Sequence, residues 1–146
     1  MEETKTKKTD DLLAILKHAE NEGELKRYLN DNQDCAGLSF QVYFNRLLEA
    51  SGITKASLVK RSGIERTYLY QLLNGTRSPG RDHLLRMCIG TGLSLEETTR
   101  CMEQLALGVL YAKNPRDAIL IYAINRGYTV DETNALLYDM KEATLN

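Results

Sequence analysis

Residues 54–74 read TKASLVKRSGIERTYLYQLLN, and this stretch decides the fold. It reads as two short helices joined by a tight turn. Thr54 is placed to cap the first helix, and Leu58 and Val59 give that helix an apolar face. Gly63 ends it where the chain must swing into positive φ, which glycine does without steric cost. Ile64 then enters the core. In the second helix Tyr68, Leu69 and Leu72 recur at helical spacing, and Asn74-Gly75 closes it. Arg66, Thr67, Tyr70, Gln71 and Asn74 fall three and four residues apart, so they share the other face. Arginine and glutamine on such a face can make the paired hydrogen bonds that distinguish guanine from adenine in a major groove. The bland alternative is the solvated side of an amphipathic helix.

The flanks extend the helical pattern. Ser39 is placed to cap a helix over Phe40 to Ala50, which Ser51-Gly52 ends. After Asn74-Gly75 comes TRSPG, a loop with two breakers flanked by Arg77 and Arg81. These arginines suit a phosphate clamp as well as a solvated turn. Arg81 to Ile89 reads as a fourth helix burying Leu84, Leu85, Cys88 and Ile89, with Gly90 and Gly92 as its stop. Ser94 caps a fifth, with Glu96 and Glu97 in its first turn.

From about Phe40 to Met102 the chain resembles a lambda-repressor-like (XRE-type) helix-turn-helix domain. The resemblance is carried by Phe44, Leu47, Leu48, Leu58, Gly63, Ile64, Leu69, Leu72, Asn74, Gly75, Pro79, Leu84, Leu85 and Gly92-Leu93-Ser94. It implies that the second helix of the pair, residues 65–74, enters the major groove while the first crosses the backbone. It places Arg66, Thr67, Tyr70 and Gln71 at base-reading positions, and Lys55, Asn74, Thr76 and Arg77 at phosphate-contacting ones. Two residues depart from the family pattern. Val59 stands where the family usually has alanine, and Glu65 opens the recognition helix with a negative charge. That charge favours the helix dipole, and we read this as its role in preference to contact with a cytosine amino group.

The charge distribution agrees with a polyanion partner. The net charge is only −1, but residues 40–92 hold eight basic residues against three acidic ones, a net of +5, and each flank carries −3. A basic centre between acidic flanks suits a locally held polyanion. No apolar run approaches the ~20 residues that span a bilayer, and Met1 to Asp11 is too polar for a signal peptide or lipid anchor. A soluble cytoplasmic protein with no membrane contact is expected. Cys35, Cys88 and Cys101 are far apart, without a CxxC pair, and fit buried thiols in a reducing compartment rather than a metal site.

Residues 1–9 are too polar to pack. Asp10 to Ala19 and Glu24 to Asn30 read as an N-terminal helical arm, in which His18 is a surface residue, and Asp31 to Ser39 as a linker. The tail carries an internal repeat. GRDHLLRMCIGTGLSLEETTRCM, from Gly80, aligns at an offset of 35 residues with PRDAILIYAINRGYTVDETNALL, from Pro115. Each copy reads as two helices around a glycine stop and a capping hydroxyl, so the second copy is expected to pack on the first. Asp82 and Asp117 fall at helix starts, where capping is the preferred reading over a paired site. Tyr111, Tyr122, Tyr128 and Tyr138 read as core residues with wet hydroxyls, a ligand groove being the alternative.

The expected fold is therefore all-α. It comprises a polar N-terminus and helical arm over residues 1–39, a five-helix lambda-repressor-like helix-turn-helix domain over 40–105, and a two-helix extension over 106–146. The expected function is that of a sequence-specific, double-stranded DNA-binding transcriptional regulator of bacterial or phage type. Arg81 joins Lys55, Asn74, Thr76 and Arg77 on the phosphate side. One copy reads too few base pairs for genomic specificity, so a homodimer on a palindromic site is implied. The terminal helices are candidate dimer or protein-partner surfaces. Leu73, beside the polar face and hard to bury within the domain alone, argues for some such contact. A protein-binding adaptor or inhibitor reusing the fold is the alternative. GxSxG, phosphate-loop and HExxH motifs are missing, so no catalytic residue, metal or cofactor is expected.

Overall fold

The computed structural model describes residues 39–146. The arm expected over residues 1–38, with His18 and Cys35, lies outside them. Seven α-helices and no strand occur among the described residues: α1 Phe40–Ser51, α2 Lys55–Ser62, α3 Arg66–Asn74, α4 Arg81–Thr91, α5 Leu95–Gln104, α6 Pro115–Asn125 and α7 Val130–Asp139. The fold is all-α, and a helix-turn-helix pair lies at α2–α3.

Local chemistry sets the ends of these helices. The Thr54 hydroxyl accepts from the Ser57 N–H at 3.0 Å and starts α2. Gly63, at φ 71°, ends it and donates its N–H to the Val59 carbonyl at 3.1 Å. Buried Ser62 accepts from the Ile64 N–H at 3.2 Å, which fixes the turn into α3. Capping boxes open α5 at Ser94 with Glu97 and α7 at Thr129 with Glu132. They are 35 residues apart, as the repeat requires.

A single core gathers Phe44, Leu58, Leu69, Leu72, Leu84, Leu85, Met87 and Met102, all fully buried. Helix α2 lies closest against α4 at Gly90, which is inside α4 and not part of its stop; Gly92 alone ends that helix. A Cβ at Gly90 would meet Leu58 Cδ1 at 3.1 Å and the backbone of Ser62 and Arg61 at 3.2 and 3.3 Å. Leu73 is 3 % exposed, packed in this core, so its support for an intermolecular contact lapses.

The repeat is structural as well as sequential. Helix α4 touches α7 and α5 touches α6, a reciprocal packing of two helical hairpins. Ala106 and Lys141, 35 residues apart, both adopt positive φ, 53° and 63°. The two RD pairs interlock across the copies. Arg81 grips Asp117 through both terminal nitrogens, at 3.1 and 3.0 Å, and Arg116 grips Asp82 at 3.1 Å twice. Each arginine also donates to matched carbonyls: Arg81 to Gly108 and Val109, Arg116 to Ala143 and Thr144.

This geometry corrects the capping assignment for Asp82 and Asp117. Gly80 stands at the N-cap of α4 without a side-chain bond, and Asn114 caps α6. The aspartates are instead partners for the arginine of the other copy. Burial alone would raise the pKa of Asp117, but the Arg81 bonds, the Tyr111 N–H and the charges of Arg81 and Arg116 outweigh it and hold it below its ordinary value. The tail tyrosines also differ from expectation. Tyr111, Tyr122 and Tyr138 are exposed and Tyr128 is half-buried, with Tyr122 and Tyr128 edge to face at 5.8 Å.

Replacing Asp117 by Asn should strand Arg81 and cost about 2 kcal/mol in urea unfolding, between the values for buried and exposed pairs. Because the folded pKa of Asp117 is depressed, its contribution is present above the ordinary aspartate range and lost as pH falls through the folded value. The wild-type and Asp117→Asn stabilities should therefore converge in acid. At Gly90, Gly90→Ala should lower stability by about 1 kcal/mol, since overpacking against backbone (about 1–3 kcal/mol) exceeds the helix-propensity gain (about 1 kcal/mol).

Candidate nucleic-acid interface

Helix α3 is anchored at both ends, and its outer face is what the anchoring presents. At the N-terminus the Glu65 carboxylate accepts from the Thr67 N–H at 3.0 Å and the Tyr68 N–H at 2.9 Å. These bonds, Thr67 first and then Tyr68, hold its carboxyl below the ordinary glutamate range. Its charge thus serves the helix start, as the dipole reading expected. At the C-terminus Gly75 turns the chain at φ 88°, and Asn45 of α1 donates to the Leu73 carbonyl at 2.9 Å. Leu69, Leu72 and Leu73 bury the inner face.

The outer face carries the expected base-reading residues together. Arg66 and Thr67 are exposed, and Tyr70 and Gln71 are half-exposed beside them. The Arg66 guanidinium lies over the Tyr70 ring, 5.2 Å from its centroid. Of the expected phosphate residues, Lys55 at the start of α2 and Asn74, Thr76 and Arg77 after α3 are all exposed. Asn74 accepts from the Thr76 N–H at 2.8 Å, closing an Asx turn.

Arg77 also points back at α3. Its Nε–H donates to Gln71 Oε1 at 3.0 Å, its backbone N–H donates to the Gln71 carbonyl at 3.1 Å, and its guanidinium lies over the Tyr68 ring at 6.0 Å. Tyr68 in turn meets the His83 ring of α4 edge to face at 5.0 Å. Burial, and then the Arg86 charge, lower the pKa of His83.

Arg81 departs from the expectation. It does not stand beside Arg77 as a second clamp, because its guanidinium is committed to Asp117 and to two carbonyls of the 108–109 turn. It opens α4, as the sequence pattern expected, but it faces the second repeat copy and not the loop. Two other arginines of the basic centre are also bound internally. Arg61 donates to the Gly90 carbonyl at 2.6 Å, and Arg86 donates to the Ser62 carbonyl at 3.0 Å and to the Gly63 carbonyl. Arg86 thereby satisfies carbonyls left open at the end of α2. Asn45 and Arg86 were not singled out from the sequence; only the fold brings them to the ends of α3 and α2.

Comparison with known families places this stretch beside one domain type. Residues 44–98 match the model of the Cro/C1-type helix-turn-helix DNA-binding domain. Over that stretch the chain is similar to a domain of this type. The match begins within α1 and ends within α5, so it covers α2, α3 and α4 whole and leaves α6 and α7 outside. No curated protein and no solved structure matches the chain. Among the described residues no helix is long and apolar enough to cross a membrane, and no group of three or more metal-ligating side chains is gathered.

Removal of the Glu65 cap should loosen the start of α3. Glu65→Ala is expected to lower the melting temperature at neutral pH. The folded pKa lies below the ordinary value of 4.5, so the contribution is complete above that value and is lost as pH falls through the folded one. Melting curves of the two proteins should therefore draw together on acidification.

Proposed function

We propose that the protein is a sequence-specific, double-stranded DNA-binding transcriptional regulator that seats α3 in the major groove. One observation carries this reading: Arg66, Thr67, Tyr70 and Gln71 form a continuous polar ridge on the solvent side of α3, within the stretch 40–92 that holds the net positive charge of the sequence. Arginine and glutamine there suit base edges. Asn74, Thr76 and Arg77 follow the ridge in the chain and Lys55 opens α2; all four are exposed and suit phosphates. Arg81 is withdrawn from that set because Asp117 neutralises it.

The helices over 40–105 act as the reading head, and the segment over 106–146 as an appended helical hairpin. A single head covers only a few base pairs, which is too little for a genomic site. We therefore propose a homodimer on a palindrome, with half-sites about one helical turn apart.

Retention on DNA upstream of the protein's own gene tests this. Arg66→Ala and Gln71→Ala should each weaken binding by about tenfold, the lower half of what a paired base contact contributes. Circular dichroism and melting temperature should be unchanged, since both side chains lie outside the core. Failure of the intact protein to bind any DNA at low salt would sink the proposal.

A further inference from the structure

We propose that Arg77 is a positioning residue that fixes the amide of Gln71 with its nitrogen toward the groove, so that Gln71 selects guanine over adenine. The inference rests on the DNA-reading role given to α3 above.

A glutamine amide is ambiguous by itself, because a half-turn about its last torsion exchanges a donor for an acceptor of nearly the same shape. Arg77 removes the ambiguity. Its Nε–H meets Gln71 Oε1 at 3.0 Å, and the flipped amide would set the Nε2 hydrogens against that donor. Two further contacts keep Arg77 near Gln71. Its backbone N–H is bonded to the Gln71 carbonyl at 3.1 Å, and the Tyr68 ring lies beneath its guanidinium at 6.0 Å. Tyr68 is steadied by the edge-to-face contact with His83 on α4, at 5.0 Å.

The consequence is a matter of donors and acceptors. Paired recognition of adenine needs Oε1 to accept from the N6 amino group while Nε2 donates to N7. Here one of the two lone pairs of Oε1 is taken by a cation, and an amino group approaching the other would bring its positive hydrogens against the guanidinium. Guanine presents O6 and N7, both acceptors, to the Nε2 hydrogens, and the Arg77 charge favours that electronegative edge. Arg77 therefore does more than hold a phosphate: it decides which purine its neighbour accepts.

Selection of bound sequences from a pool of random double-stranded DNA by the full chain tests this, with Gln71→Ala, Arg77→Ala and Arg77→Lys run alongside. The expected result is guanine at the one position that Gln71→Ala randomises. Arg77→Ala should shift that position toward adenine or flatten it, lowering guanine discrimination at least about fivefold. The rest of the motif should be unchanged, and Arg77→Lys, which keeps one donor, should restore part of the preference. Adenine at that position in the wild type overturns the inference. So does an Arg77→Ala protein that binds every sequence equally more weakly, with its salt slope reduced by about one, because that is the signature of a phosphate contact alone. Both outcomes leave the DNA-reading role intact. If the wild type enriches no sequence, the reading role itself fails and takes the inference with it.

Discussion

Two arginine–aspartate pairs, exchanged between halves of an internal repeat, tie the described helices together. Arg81 reaches Asp117 and Arg116 reaches Asp82, each through two parallel bonds. A bidentate pair fixes orientation as well as distance. Since Arg81 and Asp82 begin α4, and Arg116 and Asp117 lie in the first turn of α6, the pairs lock these two helix starts to each other. Helix α4 then serves as the fixed beam of the domain. Its Gly90 receives α2, its Arg86 closes the end of α2, and its His83 steadies Tyr68 of α3. Helix α3 itself packs on α1 and α2, so α4 acts on it through α2 and through the Tyr68–His83 contact.

The basic centre divides between two uses of the same side chain. Arg61, Arg81 and Arg86 turn inward onto carbonyls or a carboxylate, whereas Lys55, Arg66 and Arg77 are exposed. Arginine suits both, because its planar fork can meet several oxygens at once while its charge stays fixed. A count of charge along the chain cannot separate the two uses. It overstates how much charge a ligand would meet.

Much of the fold was legible in the sequence because its signals are local. Thr54, Gly63, Gly75, Ser94 and Thr129 act on their immediate neighbours, and each sits where the pattern put it. The outward face of α3 was legible for the same reason, since helical spacing alone decides it. What escaped depends on neighbours distant in the chain. Gly90 reads as a stop until the backbone of α2 is seen against it. Leu73 reads as stranded until α1 and α3 close over the core. Asp82 and Asp117 read as caps because aspartate commonly stands there, and their partners are 34 and 36 residues away. The Arg77–Gln71 bond spans a loop whose path the sequence does not dictate.

The two copies of the repeat also show how one unit comes to serve two environments. Where the hairpins face each other the copies agree: Leu85 and Leu120, Thr98 and Thr133, and Met102 and Leu137 are all fully buried. Where the first copy meets the helix-turn-helix pair they part. Met87 is buried and its counterpart Tyr122 is 46 % exposed; Gly90 is buried and its counterpart Asn125 is exposed. A glycine is needed only where another backbone approaches within contact distance, and α2 approaches α4 alone. Asn125 meets no such demand, so a side chain is tolerated there. Divergence between the copies is therefore a map of what covers each one, and the matched RD pairs mark the surface that both must keep.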